Sequence, residues 1–144
     1  MDDQPITSFS GPFRFLSNFH PSEVTLDGDK YPSVEHAFQA AKSFGPAHRA
    51  LIRNDCNSAQ AKRLGRTVVL RSDWEEVKVG VMLGLLRQKF APGTALGQQL
   101  DATGDRELVE GNWWGDTFWG VCRGVGQNQL GKLLMQVRAE GRLL

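Results

Sequence analysis

The segment Tyr31–Lys42 constrains the fold of this chain more than any other, because it predicts a helix with a defined start. Pro32 keeps the backbone extended just before that start, and Ser33 is a residue type that commonly caps helix N-termini. The apolar and small side chains that follow have helical spacing. The sequence therefore predicts a helix over about residues 33–44.

The same helix carries polar groups on the side that holds its large apolar residue. Glu35, Phe38 and Gln39 share one face, and Lys42 lies one turn further along it. A carboxylate, an amide and an ammonium group in one stripe favour a functional site, since a structural helix rarely places polar groups along its apolar stripe. The alternative is an exposed Glu/Lys face above a buried one formed by Val34, Ala37, Phe38 and Ala41.

The composition is typical of one globular domain. The chain has 144 residues, of which 40% are hydrophobic and 23% charged, so a single compact domain over residues 1–144 can build a real core. A formal net charge of +1 argues against a strong electrostatic nucleic-acid binder, but it leaves room for a local basic pocket. No apolar run approaches the roughly 20 residues of a membrane-spanning helix, so no membrane association is expected.

The chain ends and the rarer residue types point to a cytoplasmic protein. Residues 1–7 are expected to form a loose N-terminal extension, and they lack the apolar core of a signal peptide. Cys56 and Cys122 are far apart and are interpreted as reduced thiols. The three histidines have no metal-ligand spacing, and the sequence contains no phosphate loop or dinucleotide motif, so neither a metal nor an organic cofactor is expected.

The rest of the chain predicts short strands and several helices. Asp27-Gly28 suits a tight hairpin turn between two short strands, and Phe13–Phe15 is predicted to be a further strand. Gly80 and Gly84 lie inside the longest predicted helix, where their spacing suggests close approach of another element. The further helices are predicted over about residues 46–54, 59–64, 73–90, 94–102 and from residue 128 onward. The fold class is therefore α+β and predominantly helical.

The segment 110–121 contains three of the four tryptophans, separated by glycines. Indole rings in a glycine-rich loop suit stacking on a base or a sugar, although Trp113 and Trp114 taken singly are more typical of a small aromatic core. Asp116 lies among them, and a carboxylate between aromatic rings must be paired, protonated or functional. The loop 124–128 leads into a helix, whose free N–H groups could bind a phosphate.

Several sequence blocks occur in an order and at a spacing that resemble a known family. Two of them are Phe15–Phe19 and Tyr31–Lys42. The others are residues 61–66, Trp74, Lys89-Phe90, and residues 108–110, 116–120 and 128–135. Over roughly residues 9–138, the chain resembles the YbiA-like, or NADAR, family.

This resemblance implies a single YbiA-like domain with N-glycosidase activity. Members are associated with phosphoribosylamino-pyrimidine intermediates of riboflavin biosynthesis, such as 5-amino-6-(5-phosphoribosylamino)uracil, or with ADP-ribosylated guanine. Both reactions hydrolyse a bond between nitrogen and C1 of a phosphorylated ribose. The implied partners are the small phosphoribosyl or ADP-ribosyl substrate, ADP-ribosylated nucleic acid, and an ADP-ribosyltransferase toxin with which the protein would be functionally paired.

The resemblance also implies roles for individual residues. The catalytic glutamate of the family falls on Glu35 and its acidic residue before Trp-Gly on Asp116. The lysine that ends the helix falls on Lys42, which could form a Schiff base with the opened ribose. The substrate-binding residues implied are Trp74, Phe15, Asn18, Gln39, Arg66, Trp119, Gly126 and Asn128. The linker before Asp116 differs from that of other members, and it is expected to influence which base is preferred.

The proposed chemistry is consistent with these residue types. Cleavage of an N-ribosidic bond builds positive charge on the ribose, which a carboxylate such as Glu35 or Asp116 stabilises. A second group must ease departure of the nitrogen, and Lys42 can act as an acid or, if its pKa is lowered, as a nucleophile. The alternative from another functional class is a non-catalytic ADP-ribose or nucleotide-binding module, which would not need Glu35.

Overall fold

The structure is a computed structural model that describes residues 2–144. It confirms the α+β, predominantly helical fold class, with a short 3-10 helix, six α-helices and four very short strands in the described part of the chain. The helices are the 3-10 helix Gly11–Leu16, α1 (Val34–Ala41), α2 (Pro46–Asp55), α3 (Ser58–Gly65), α4 (Trp74–Lys89), α5 (Ala95–Asp101) and α6 (Gln129–Gly141). The strands are β1 (Val24–Leu26), β2 (Asp29–Tyr31), β3 (Gly111–Asn112) and β4 (Val121–Cys122).

The chain forms two compact units. The first consists of the described part of Met1–Ser17 together with Phe90–Leu144, and the second is Asn18–Lys89. The expectation of a single domain over residues 1–144 stays a prediction.

The hairpin of the second unit forms where the sequence predicts it. Strands β1 and β2 pair antiparallel, with Val24 opposite Tyr31 and Leu26 opposite Asp29. Asp27 and Gly28, which connect them, both have positive φ angles, of 49° and 87°. A two-residue turn with two positive φ angles matches the twist of the strands, and this is why the Asp-Gly pair is suited to it.

Helix α1 is the central helix of the second unit. Its start is confirmed, because the Ser33 side chain accepts a hydrogen bond from the His36 N–H at 3.1 Å. All eight residues of α1 are buried, and the helix packs against α2, α3, α4 and the hairpin. The alternative of an exposed face that includes Glu35 is therefore wrong. Its carboxylate lies in the interior of the unit, with 7% of the residue exposed.

Two local predictions in this part of the sequence are wrong for identifiable reasons. Residues 13–15 lie in the 3-10 helix Gly11–Leu16 rather than in a strand, because Pro12 occupies its first turn and suits a helical start. Gly80 and Gly84 do not mark a close approach, since a Cβ atom built at either position meets nothing within 4 Å.

The first unit is held together by short pairings and by helix packing. Ile6 is buried and forms a parallel bridge to Leu108, so the expectation of a loose extension over residues 1–7 is wrong at Ile6. Met1 lies outside the described residues. Strands β3 and β4 pair in parallel, and α5 packs on α6. None of the helices within residues 2–144 is both long and apolar enough to cross a membrane.

Candidate active site

The polar stripe of α1 forms the centre of the candidate site in the second unit. Gln39 donates a hydrogen bond from Nε2 to Oε1 of Glu35 at 2.9 Å, and both residues are buried. The spacing of four residues places them one turn apart on the same face. The amide therefore holds the carboxylate in one orientation, while the Gln39 Oε1 atom is buried without a hydrogen-bond partner among the described residues.

Lys42 caps the C-terminal end of α1 and lies near the same carboxylate. Its Nζ is 3.5 Å from the carbonyl oxygen of Gly65, the last residue of α3. Burial lowers the pKa of Lys42, and the negative charge of Glu35 opposes that effect. The positive charges of Arg66, Lys62 and Lys78 lower this pKa further. A larger fraction of Lys42 is thus neutral at a given pH than for an exposed lysine.

Gly65 leaves the space that the Gln39 amide occupies. A Cβ atom built on Gly65 would lie 1.7 Å from Gln39 Oε1 and 3.3 Å from Lys42 Nζ. No side chain fits there unless the amide moves. Glycine at position 65 is therefore needed for the observed position of the Gln39 amide.

Asn18 adds a second, partly buried amide beside the start of α1. Its backbone oxygen accepts a hydrogen bond from the Glu35 N–H at 3.1 Å, and its Nδ2 points to Met82 Sδ at 3.6 Å. Its Oδ1 atom, like the Oε1 atom of Gln39, is buried without a hydrogen-bond partner among the residues described. Two buried amide oxygens without donors are unusual in one small region, since most such groups are paired. They are suited to accept hydrogen bonds from a bound molecule.

Trp74 begins α4 and packs into the core of the unit. Its ring lies 5.0 Å from that of Phe38 at an interplanar angle of 54°, and 5% of the residue is exposed. A ring buried to this extent supports the helix that carries Glu35. Arg66, in contrast, is exposed just after α3.

A buried hydrogen-bonded chain that the sequence analysis missed anchors α1. Nδ1 of His36 lies 2.6 Å from the hydroxyl of Ser33, and its Nε2 lies 2.7 Å from the carbonyl oxygen of Cys56. A carbonyl oxygen only accepts, so Nε2 donates the second of these hydrogen bonds. His48 contacts the same helix through Nε2, which lies 3.1 Å from the backbone oxygen of Gln39. The capping pattern at Ser33 was the signal for the first of these contacts.

Asp116 belongs to the first unit, where its carboxylate shapes a loop. Oδ1 accepts hydrogen bonds from the N–H groups of Phe118, at 3.1 Å, and Trp119, at 2.9 Å. Asn112 braces the same turn, since it bonds both the N–H and the carbonyl oxygen of Asp116. The carboxylate is thus paired with backbone donors, which explains its position among aromatic rings. Its catalytic role stays a prediction.

The start of α6 does not offer free N–H groups to a phosphate, contrary to the sequence-based hypothesis. The N–H groups of residues 127–130 donate to the carbonyl oxygens of residues 117–120. Asn128 is buried, and its side chain bonds the Glu110 N–H and the Leu108 oxygen. Gly126 has no side chain because a Cβ atom there would lie 2.1 Å from the Gly120 oxygen. These N–H groups are thus engaged within the loop, and the phosphate contacts of Gly126 and Asn128 stay a prediction.

The other aromatic residues of the first unit differ in exposure. Trp113 is 83% exposed and Trp114 47%, which is against the aromatic-core interpretation of these two rings. Trp119 is partly buried and packs edge-on against Phe118, at 4.9 Å. Phe15 is buried in the 3-10 helix.

The structure thus brings together part of the predicted set. Six predicted residues lie in the second unit: Asn18, Glu35, Gln39, Lys42, Arg66 and Trp74. Five lie in the first unit: Phe15, Asp116, Trp119, Gly126 and Asn128.

Comparison with known proteins identifies the family of this chain. The family model of the NADAR domain matches residues 7–142, nearly the whole sequence. The chain belongs to the NADAR domain family. This confirms the resemblance on which the sequence analysis relied.

Relatives of this NADAR protein include an N-glycosidase and a riboflavin biosynthesis protein. The N-glycosidase YbiA of Escherichia coli is 38% identical over 136 residues, which cover 92% of this chain and 84% of that protein. A riboflavin biosynthesis protein of Vibrio vulnificus is 42% identical over 129 residues, which cover 88% of this chain but only 35% of that protein. The NMR structure of E. coli YbiA has a TM-score of 0.86 and 37% identity, and covers 99% of this chain and 88% of that one. These relatives confirm the prediction of a hydrolase that acts on N-glycosyl compounds.

Proposed function

We propose that this NADAR protein hydrolyses the bond between nitrogen and ribose C1 in a phosphoribosylamino-pyrimidine, such as 5-amino-6-(5-phosphoribosylamino)uracil. The observation that carries the proposal is the buried Glu35 carboxylate, which Gln39 orients and beside which Lys42 has a lowered pKa. The name of the Vibrio relative, a riboflavin biosynthesis protein, supports this substrate class.

Glu35 acts on the positive charge that appears as the C1–N bond breaks. On the ring-opened route this charge lies on the protonated imine at C1, and a carboxylate stabilises it most strongly where water is excluded; only 7% of Glu35 is exposed. The hydrogen bond from Gln39 keeps Oε1 in place, so little reorganisation is needed during the reaction. Because Glu35 lies in the interior, its charge does not contribute to the solubility of the protein, and a functional role accounts for it.

Lys42 supplies the nucleophile. In the ring-opened substrate, C1 is joined to the base nitrogen as an imine, and the neutral amine of Lys42 adds to that carbon. Both hydrogens of the Lys42 amine pass to the base nitrogen and the bond from that nitrogen to C1 breaks. The base leaves as its free amine, and C1 remains bound to Nζ as a lysine imine. Water then hydrolyses this imine, which releases ribose 5-phosphate and regenerates the amine. Burial supports this route because it lowers the lysine pKa and so favours the neutral form.

The remaining groups of the second unit bind the substrate. The unpartnered oxygens of Gln39 and Asn18 accept hydrogen bonds from ribose hydroxyls or from N–H groups of the base. Arg66 and Lys62, whose charges act on Lys42, supply positive potential for the 5′-phosphate.

Incubation of the purified protein with the pyrimidine substrate, followed by mass detection of free base and ribose 5-phosphate, tests the proposal. Glu35→Gln is nearly isosteric and keeps the fold, and we expect it to lower turnover at least about a hundredfold. Gln136→Glu, an exposed change of the same two residue types on α6, serves as the control and leaves turnover unchanged.

Other outcomes would change the assignment. Release of ADP-ribose from ADP-ribosylated guanine, without cleavage of the pyrimidine substrate, would replace the substrate class. Tight binding of either compound without product would indicate a non-catalytic binding module. Wild-type turnover in a folded Glu35→Gln protein would refute the role of Glu35.

A further inference from the structure

A cleft of about 310 Å³ lies within the first unit, between α5 and the end of α6. Its apolar walls are formed by Phe90, Pro92, Leu100, Val137 and Leu144. Three of these side chains, at positions 90, 100 and 137, are buried and form a fixed apolar floor. Cavities of about 300 Å³ lie at the small end of ligand sites, so the cleft fits a small organic molecule.

Arg138 brings a buried positive charge to this cleft. The residue is 8% exposed, and it lines the cavity from α6. Within residues 2–144 its guanidinium makes one hydrogen bond, from Nη1 to Thr103 Oγ1 at 2.8 Å, and no ion pair. A guanidinium has five N–H donors, and a buried charge without a counter-ion is costly. An anion in the cleft would remove that cost.

The carboxylates that could neutralise Arg138 are engaged elsewhere. Asp101 accepts a hydrogen bond from Nε of Arg142 at 2.8 Å, and Asp105 accepts one from Nη1 of the same residue at 2.9 Å. Both acids still attract the charge of Arg138 through space, and Arg142 repels it. The charges of these two acids and two arginines add to zero. An anion would therefore be attracted only close to the Arg138 guanidinium.

We infer that this cleft binds a small monocarboxylate with an apolar body. A carboxylate matches the planar fork of one guanidinium. Arg142 and Asp101 also line the cleft, but Arg142 is bonded to Asp101 and Asp105, so a phosphate would not find a second uncommitted guanidinium there. The apolar body of the ligand would cover the floor of the cleft. Arg138 has no part in the proposed N-glycosidase reaction, so the inference stands apart from that function.

Titration calorimetry of the intact protein with hexanoate, hexan-1-ol and inorganic phosphate tests this site. We expect one hexanoate to bind per chain, at least about tenfold more tightly than the neutral alcohol or phosphate, because only hexanoate satisfies both the charge and the walls. Arg138→Met should weaken hexanoate binding at least about tenfold. Lys132→Met removes the same charge from an exposed position of the same helix, and it should leave the affinity unchanged.

A second variant blocks the cleft without touching the guanidinium. Gly141 lines the cavity, and a Cβ atom there would lie 3.8 Å from Pro92 Cγ, so the side chain of Gly141→Leu would enter the space. Gly141→Leu should abolish hexanoate binding although Arg138 is intact. If Arg138→Met does not fold, this variant alone tests whether hexanoate binds in the cleft. Equal affinities for hexanoate and hexan-1-ol, equal losses in Arg138→Met and Lys132→Met, or no binding of hexanoate would each overturn the inference.

Discussion

Gly65→Ala tests whether the orientation of Glu35 matters, without changing any polar group. The new Cβ atom would lie 1.7 Å from Oε1 and 2.7 Å from Cδ of Gln39, so the amide must move away from Gly65. Its hydrogen bond to Glu35 is then lost. A hydrogen bond to a charged group contributes about 1.5–3 kcal/mol. If that orientation is needed in the transition state, kcat/KM should fall roughly 10- to 150-fold, at about 1.4 kcal/mol per tenfold.

The assay combines steady-state kinetics on the pyrimidine substrate with thermal unfolding. Gly80→Ala is the matched control, since that helical glycine has nothing within 4 Å of its added Cβ atom. The control should keep full activity and gain up to about 1 kcal/mol of stability. In a Gln39→Ala background the amide is absent, so Gly65→Ala should cost little more. A folded Gly65→Ala protein with wild-type kcat/KM would refute the argument, and so would fully additive losses in the double variant.

Three further predictions concern ionisable groups. Borohydride added during turnover should trap a ribosyl adduct on Lys42, and Lys42→Arg should lose both adduct and activity, because guanidinium stays protonated; an active Arg variant would exclude the imine. Asp116→Asn keeps an Oδ1 acceptor for the loop N–H groups, whereas Asp116→Ala removes it. The Asn variant should therefore keep the melting temperature, while the Ala variant loses about 1–3 kcal/mol of stability. A loss of turnover in the Asn variant at an unchanged melting temperature would show that the charge itself is used. Lys89 is 2% exposed, and burial lowers its pKa to about 7. Its unfolded-state pKa is higher, so stability should rise as pH increases from about 7 toward 10.5, by at most about 5 kcal/mol. Urea titrations at several pH values measure the free energy of unfolding, and in Lys89→Met its rise with pH should be smaller. An unchanged dependence of this free energy on pH would contradict the prediction.

Local signals in the sequence were sufficient for some elements. The Asp27-Gly28 turn and the Ser33 cap were predicted correctly because each depends on the conformation of residues within three or four positions. The stripe formed by Glu35, Gln39 and Lys42 was also predictable, since it follows from helical periodicity alone.

Other features could not be predicted from local sequence. Spacing identified the polar stripe of α1, but periodicity left open whether it faced solvent. The burial of all eight residues of α1 results from packing against α2, α3 and α4, which are distant in sequence. In the same way, the N–H groups at the start of α6 looked free because their acceptors, at residues 117–120, belong to a preceding loop.

The sequence by itself determined which chemical groups this protein has and how far apart they lie along each helix, because those distances depend only on backbone geometry. The tertiary structure alone decided the environment of those groups. Gly65 leaves the room for the Gln39 amide, and burial changes the proton affinity of Lys42. Desolvation and close packing arise from segments that meet only in the folded chain, so no local pattern encodes them.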